Sequence, residues 1–266
     1  MKVYISADME GITGVSDWSE TEKGKPEYEV FARQMTREVR AACIGALKAG
    51  AREIWVQDAH ETGRNINGIE LPEKVRLIRG WSGHPFAMVQ ELDETFEALV
   101  LIGYHSGSGL NSNPLSHTMH ASNINYIKIN EQNANEFMIH CYAAASVHVP
   151  VIFVSGDKGL CNEVKKINNN IVTTAVKEGI GNSTVSMHPD IAVHLIETGV
   201  VQAFNNHIDK CKIELPEIFN VEISFVQHTH AYRASFYPGM KQLSSNNVVY
   251  RTKDFFDVLR MMLFVI

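Results

Sequence analysis

The sequence lacks several features that would fix its class at once. Its four cysteines, Cys43, Cys141, Cys161 and Cys211, lie far apart with no C-x-x-C pair. That spacing excludes a thiolate zinc knuckle and gives no disulfide framework. Basic residues are few and scattered, 24 Lys and Arg against 30 Asp and Glu, for a net charge of −6. No positive stripe is therefore present to track a nucleic acid or an anionic membrane. No stretch reaches the roughly 18 uninterrupted apolar residues that a membrane span needs. The amino terminus carries no basic segment followed by an apolar run. Together these absences lead to the expectation of a cytoplasmic protein with buried thiols and neither a nucleic-acid nor a membrane partner. Repeats and low-complexity tracts are missing too. What remains is ordinary globular material: 266 residues, 45% hydrophobic and 20% charged, enough for one large core or two modest ones.

Strand and helix signals alternate. Val3, Tyr4 and Ile5 suit a buried strand. Pro26 then precedes Phe31, Met35, Val39, Ala42 and Ala46, spaced by three and four until Gly50, which predicts an amphipathic helix. The run Ile54 to Val56 predicts a second strand and completes a βαβ unit. Further strands are expected at "VRLIRG", "ALVLIGYH" and "VPVIFVSGD", the last preceded by a helix from about Asn135 to Val147. After "IVTTAVK" the pattern changes to a helix near Pro189 to Phe204, strands at "VEISFVQ" and "NNVVYR", and a final helix "DFFDVLRMMLFV". The expected fold is α/β, a three-layer mostly parallel sheet with helices on both faces, plus a smaller C-terminal α+β subdomain. The expected division is a metal-binding catalytic domain at 1–190 and the subdomain at 191–266.

Polar residues collect where the strands end: Asp8 and Glu10, Asp58 and His60, His105, and Asp157. In an open parallel sheet, ligands bind beyond the carboxyl ends of the strands, so these residues can be neighbours though distant in sequence. Asp8 and Glu10, two apart on an extended backbone, face one side and converge on one positively charged object. A set of imidazoles and carboxylates without cysteine suits catalytic Zn²⁺, or Mn²⁺ or Co²⁺, better than a structural zinc. Taken singly, each residue also has a plain structural role. Asp8 or Asp58 can cap a helix, Asp157 can satisfy the turn in "SGDKG", and a lone histidine is more often a packing residue. Gly11 and Gly14 fit neither common phosphate-loop spacing and instead let the backbone turn close to a metal. Asp58 is a candidate partner for the free N–H of the His60 imidazole. Lys177 is a candidate for a substrate carboxylate or an oxyanion, its plain role being solvation at a strand end.

"DMEGITG", "QDAH", "GYH", "LSHTM", an "NE" before a helix and "PVIFVSGD" occur in that order over roughly the first 180 residues. In this the chain resembles the D-aminopeptidases of metallopeptidase family M55. The resemblance implies a pair of zinc ions held at Asp8, Glu10, His60, His105 and Glu136, with His117 as the catalytic histidine. It also implies short peptide substrates with an amino-terminal D-residue, and a ring-like homo-oligomer with a decamer as the candidate size. The chain departs from the family at Ser106 to Pro114 and at Asn135, where a glycine is usual, and both departures bear on substrate preference. Coordination arithmetic agrees with two ions. Five ligands supply three to each ion only if one bridges, and Asp8 is the best candidate because a carboxylate has two oxygens. Three carboxylates and one hydroxide also balance two dications. Two rival readings stand beside the peptidase: a metal-dependent phosphohydrolase, and a non-enzymatic small-molecule binding module.

Overall fold

Val3, Tyr4 and Ile5 lie at the centre of β1 (Lys2–Ala7), which is buried from its second residue onward. The computed structural model describes residues 1–266. α1 (Tyr28–Lys48) follows, and four of the five residues that predicted it, Met35, Val39, Ala42 and Ala46, are fully buried. β2 (Glu53–Asp58), β3 (Val75–Ile78) and β4 (Ala98–Tyr104) come next, then a hairpin of β5 (Ile124–Ile129) and β6 (Gln132–Asn133). α2 (Glu136–Ser146), β7 (Val151–Asp157), α3 (Lys158–Ile167), β8 (Val172–Ile180) and β9 (Ser183–Ser186) continue the alternation. The chain closes with α4 (Pro189–Asn205), β10 (Phe219–Phe225), α5 (His228–Ala234), β11 (Lys241–Gln242), β12 (Asn247–Thr252) and α6 (Phe255–Val265).

Seven strands form the main sheet in the order β3-β2-β1-β4-β7-β8-β9, all parallel except the β8–β9 pair. The chain steps from β1 to β2 on one side and returns to β4 on the other, so the topological switch lies between β1 and β4. Right-handed crossovers then place α1 on one face and α2 and α3 on the other. α4 packs against α1, β7 and β8, completing the three layers. A ligand is expected in front of the β1 and β4 carboxyl ends.

A second, antiparallel sheet has the order β11-β12-β10-β5-β6. The boundary expected near residue 190 falls in the first turn of α4. The second sheet draws on both sides of it, since β5 pairs with β10. The rest of α4, beyond it, belongs to the main sheet's outer layer. A single apolar core of 71 residues runs through both sheets, from Val3 to Val265.

Among the elements that the sequence reading did not expect, α3 and β5 escaped it for identifiable reasons. α3 begins directly at the end of β7, where "SGDKG" reads as a turn. Asp157 is the N-cap of that helix and its side chain accepts the Leu160 N–H at 2.9 Å. β5 shows only broken alternation in "INYIKI", because its burial comes from the distant β10 and not from its own neighbours.

Candidate metal centre

The ends of β1 and β4 approach more closely than side chains would permit. Gly103 has φ 70°, and a Cβ there would lie 2.3 Å from the Asp8 carbonyl oxygen. A Cβ on Gly11 would lie 1.9 Å from the Tyr104 carbonyl oxygen. Glycine at both positions lets Asp8 N–H donate to Ile102 O and Gly11 N–H to Gly103 O, each at 2.8 Å. The turn "DMEG" is thereby clamped against "GYH", and Asp8, Glu10 and His105 face one volume.

Every metal candidate of the sequence reading enters it. His60 Nδ1 lies 3.3 Å from Asp8 Oδ1 and 3.0 Å from Glu10 Oε2. His105 Nε2 lies 3.5 Å from both Asp8 Oδ2 and Glu136 Oε2. His117 Nε2 is 3.7 Å from Glu136 Oε1, and its ring stacks on His105 with centroids 4.4 Å apart. Donor atoms fall into three trios, each within 4.8 Å: Asp8–Glu10–His60, Asp8–His105–Glu136 and Glu10–His105–His117. The first two trios share Asp8, one oxygen toward each imidazole. All these residues are buried except His117, which is partly so.

Backbone carbonyls orient the three imidazoles. His60 Nε2–H donates to Thr21 O at 3.0 Å, His105 Nδ1–H to Ser106 O at 2.9 Å and His117 Nδ1–H to Leu115 O at 2.9 Å. A carbonyl can only accept, so each contact keeps a proton on that nitrogen and aims the other nitrogen at the centre. Glu136 begins α2, whose N-cap Asn135 accepts the Met138 N–H at 2.8 Å. Its Oε1 also accepts the Met119 N–H at 2.7 Å from a residue held at φ 65°.

The electrostatics are those of a cation site. Burial and the Glu10 carboxylate push Asp8 up to about 8. Burial also pushes Glu10 upward, but the His60 charge beside it prevails and holds it well below the usual range. Burial lowers His105, yet the Glu136 carboxylate overrides this and raises it to about 10. Glu136 is pushed up by burial and pulled down further by His105, to about 2. These side chains compete for protons because three carboxylates share one dry volume. Asp8 Oδ2, Glu10 Oε2 and His105 Nε2 are buried without a hydrogen-bond partner. Divalent cations would satisfy all three atoms, and a nitrogen–oxygen donor set without thiolate fits Zn²⁺.

The remaining candidates lie behind the centre. Asp58 does not touch the His60 imidazole. It accepts the backbone N–H groups of Asn65 and Ile66 at 2.5 and 2.7 Å and so pins the loop after His60. Asp157 accepts the Ser106 N–H at 2.7 Å, as well as capping α3. It thus fixes the residue whose carbonyl orients His105. Lys177 is buried, not solvated. Its ammonium donates to Glu10 O and, at 2.7 Å, to Val15 O, so it braces the Glu10 turn and does not face a substrate. Thr21, Ser106 and Asn113 were not singled out in the sequence. The first two act through backbone carbonyls, which any residue type can supply.

The donors open into a cavity of about 1120 Å³ whose lining includes Trp18, Trp81, Met119 and His120 and has no lysine or arginine. Comparison with known proteins finds that residues 1–264 match the model of peptidase family M55, D-aminopeptidase. The D-aminopeptidase of Bacillus subtilis (strain 168) is 32% identical over 268 residues, covering 99% of this chain and 96% of that protein. Among solved structures, Zn-dependent D-aminopeptidase DppA from Bacillus subtilis, described as a self-compartmentalizing protease, aligns with a TM-score of 0.92. It is 29% identical, and the alignment covers 100% of this chain and 96% of that one.

Proposed function

This chain belongs to peptidase family M55 and is a zinc aminopeptidase, and from that membership we propose that it removes amino-terminal D-residues from short peptides with two zinc ions. One ion is assigned to Asp8, Glu10 and His60 and the other to Asp8, His105 and Glu136. The observation that carries the pair is the orientation of Asp8, with Oδ1 toward His60 and Oδ2 toward His105. When bound, such ions lower the pKa of water and polarise the scissile carbonyl.

The chain's own residues supply the rest. His117 holds its Nδ1 proton on Leu115 O, so Nε2 is the atom that takes a proton or gives one to the leaving amine. Asp157, acting through Ser106, and Thr21 fix the His105 and His60 rings. Trp18, Trp81 and Met119 line the cavity in front of the donors and offer apolar surface to a substrate side chain. A phosphohydrolase is disfavoured because the lining offers no lysine or arginine for a phosphoryl group. We further place the protein in the cytoplasm, supported by four buried free cysteines. We also propose that it assembles as a ring-like homo-oligomer, a decamer, supported by the self-compartmentalizing relative.

The test is release of D-alanine from a D-Ala dipeptide and of L-alanine from its L counterpart, with zinc measured on the same sample. The expected result is D-selective release with close to two zinc ions per chain. Full zinc loading with neither dipeptide cleaved would favour the phosphohydrolase. Absence of stoichiometric metal would favour the binding module.

A further inference from the structure

The loop from Ser106 to Pro114 carries a buried side chain, Asn113, that links the Glu10 turn, Asp157 and the segment leading to His117. Asn113 is only 4% exposed. Its Nδ2 donates to Glu10 O at 3.0 Å and to Asp157 Oδ2 at 3.2 Å. Its Oδ1 accepts the Leu115 N–H at 3.0 Å, and the Leu115 carbonyl is the group that holds His117 Nδ1. The Asn113 carbonyl accepts the Ser116 N–H at 3.1 Å and its hydroxyl at 2.8 Å, closing the turn that leads into His117. One amide thus spans the distance between the strand ends that carry the metal ligands and the loop that carries the proton-transfer candidate.

We infer that Asn113 is a positioning residue that sets the place of the His117 imidazole relative to Glu10 and the Asp157–Ser106–His105 end of the sheet. The inference rests on the assignment of His117 above. Redundancy decides which partner depends on Asn113 most. Glu10 O also accepts from the Lys177 ammonium, and Asp157 also accepts from Ser106 N–H, Ser106 Oγ–H and Leu160 N–H. Both keep partners if Asn113 is replaced. The Leu115 N–H has Asn113 Oδ1 as its acceptor and loses it, so the turn that presents the Leu115 carbonyl to His117 is left held only by the main-chain Asn113 carbonyl. The metal ligands stay in place and the imidazole drifts. A displacement of about 1 Å in a reacting group costs on the order of 10²-fold in rate.

The experiment compares the parent enzyme, Asn113→Leu, His117→Ala and the double variant on a D-Ala peptide, with zinc content on each sample. Asn113→Leu is expected to keep its zinc, lose about 10- to 100-fold in kcat with KM nearly unchanged, and cause no further loss in the His117→Ala background. Parent-like kcat in Asn113→Leu, loss of zinc, or full additivity in the double variant overturns the inference. If His117→Ala itself retains the parent kcat, the assignment of His117 fails first, and the two failures are distinguishable. Should Asn113→Leu fail to fold, hydrogen exchange on the parent protein decides. The peptide spanning Leu115 to His117 is expected to be protected, and exchange as fast as in an open loop overturns the inference.

Discussion

Asp8 is the carboxylate shared by the Asp8–Glu10–His60 and Asp8–His105–Glu136 trios, with one oxygen toward His60 and the other toward His105. Removing it takes a ligand and its negative charge from both of the proposed zinc sites. Removing Glu10 or Glu136 takes a ligand from only one of those two proposed sites. Asp8→Ala is therefore expected to lose both zinc ions, and Glu10→Ala mainly one, with affinity effects of about 10- to 100-fold or more at each disturbed site. Zinc analysis after dialysis reads this directly, and two ions retained in Asp8→Ala would exclude a bridging role. Residue type alone was a poorer guide to the supporting groups. Asp58 has the right spacing to hold His60, yet the Thr21 carbonyl does so. A main-chain oxygen brought in from a distant turn leaves no mark on residue type.

At the level of the elements, the centre exists because the ends of β1 and β4 and the start of α2 meet with almost no space between them, and His60 arrives from the end of β2. β1 and β4 are parallel neighbours in register, Ala7 opposite Ile102, so the residues that follow each strand emerge side by side. Gly103 is where the two backbones meet. Gly103→Ala would force a left-handed residue to carry a Cβ 2.3 Å from Asp8 O and 2.5 Å from Ile12 Cδ1. The expected cost is roughly 2–5 kcal/mol from the strained conformation and overpacking together, with zinc affinity reduced because the Asp8 turn must shift. A thermal melt of the zinc-loaded variant with metal analysis checks both. A parent-like melting temperature would show that the turn yields freely. α2 adds the third segment: its first residue, Glu136, reaches His105 while its N-cap Asn135 closes the helix start.

For the whole molecule, the buried charges make stability depend on pH when zinc is removed. Asp8, raised to about 8, and His105, raised to about 10, both bind protons more tightly in the fold than in the unfolded chain. Stabilisation of this kind is complete below the unfolded pKa values and is lost as pH rises through the folded ones. Between pH 6.5 and 8 both groups act in the same direction, above the ordinary values of 3.8 for Asp8 and 6.5 for His105. Lys177, lowered to about 8 by burial, opposes them only above that range. Protein treated with a chelator is therefore expected to melt at a lower temperature at pH 8 than at pH 6.5. Zinc loading removes or reverses the difference, because metal replaces the proton at deprotonated ligands. Equal melting temperatures at both pH values in chelator would show that the centre does not govern stability.

The strands and long helices were legible because their signals are local. The buried run Val3 to Ile5 and the three-and-four spacing of Met35, Val39, Ala42 and Ala46 report backbone period directly. The alternation of strand and helix then led to a parallel sheet with its chemistry at the strand ends, and so to Asp8, Glu10, His60 and His105 as one group. Glu136 and His117 came from the resemblance, since a helix start and a loop have no period to place them. Tertiary structure alone decided how the two sheets share the chain, because the pairing of β5 with β10 is chosen by contact between segments some ninety residues apart. It alone decided the roles of Thr21, Lys177 and Asn113 as well. Hydrogen bonds to main-chain oxygens depend on where distant turns come to rest, and the sequence of those turns does not encode that position locally.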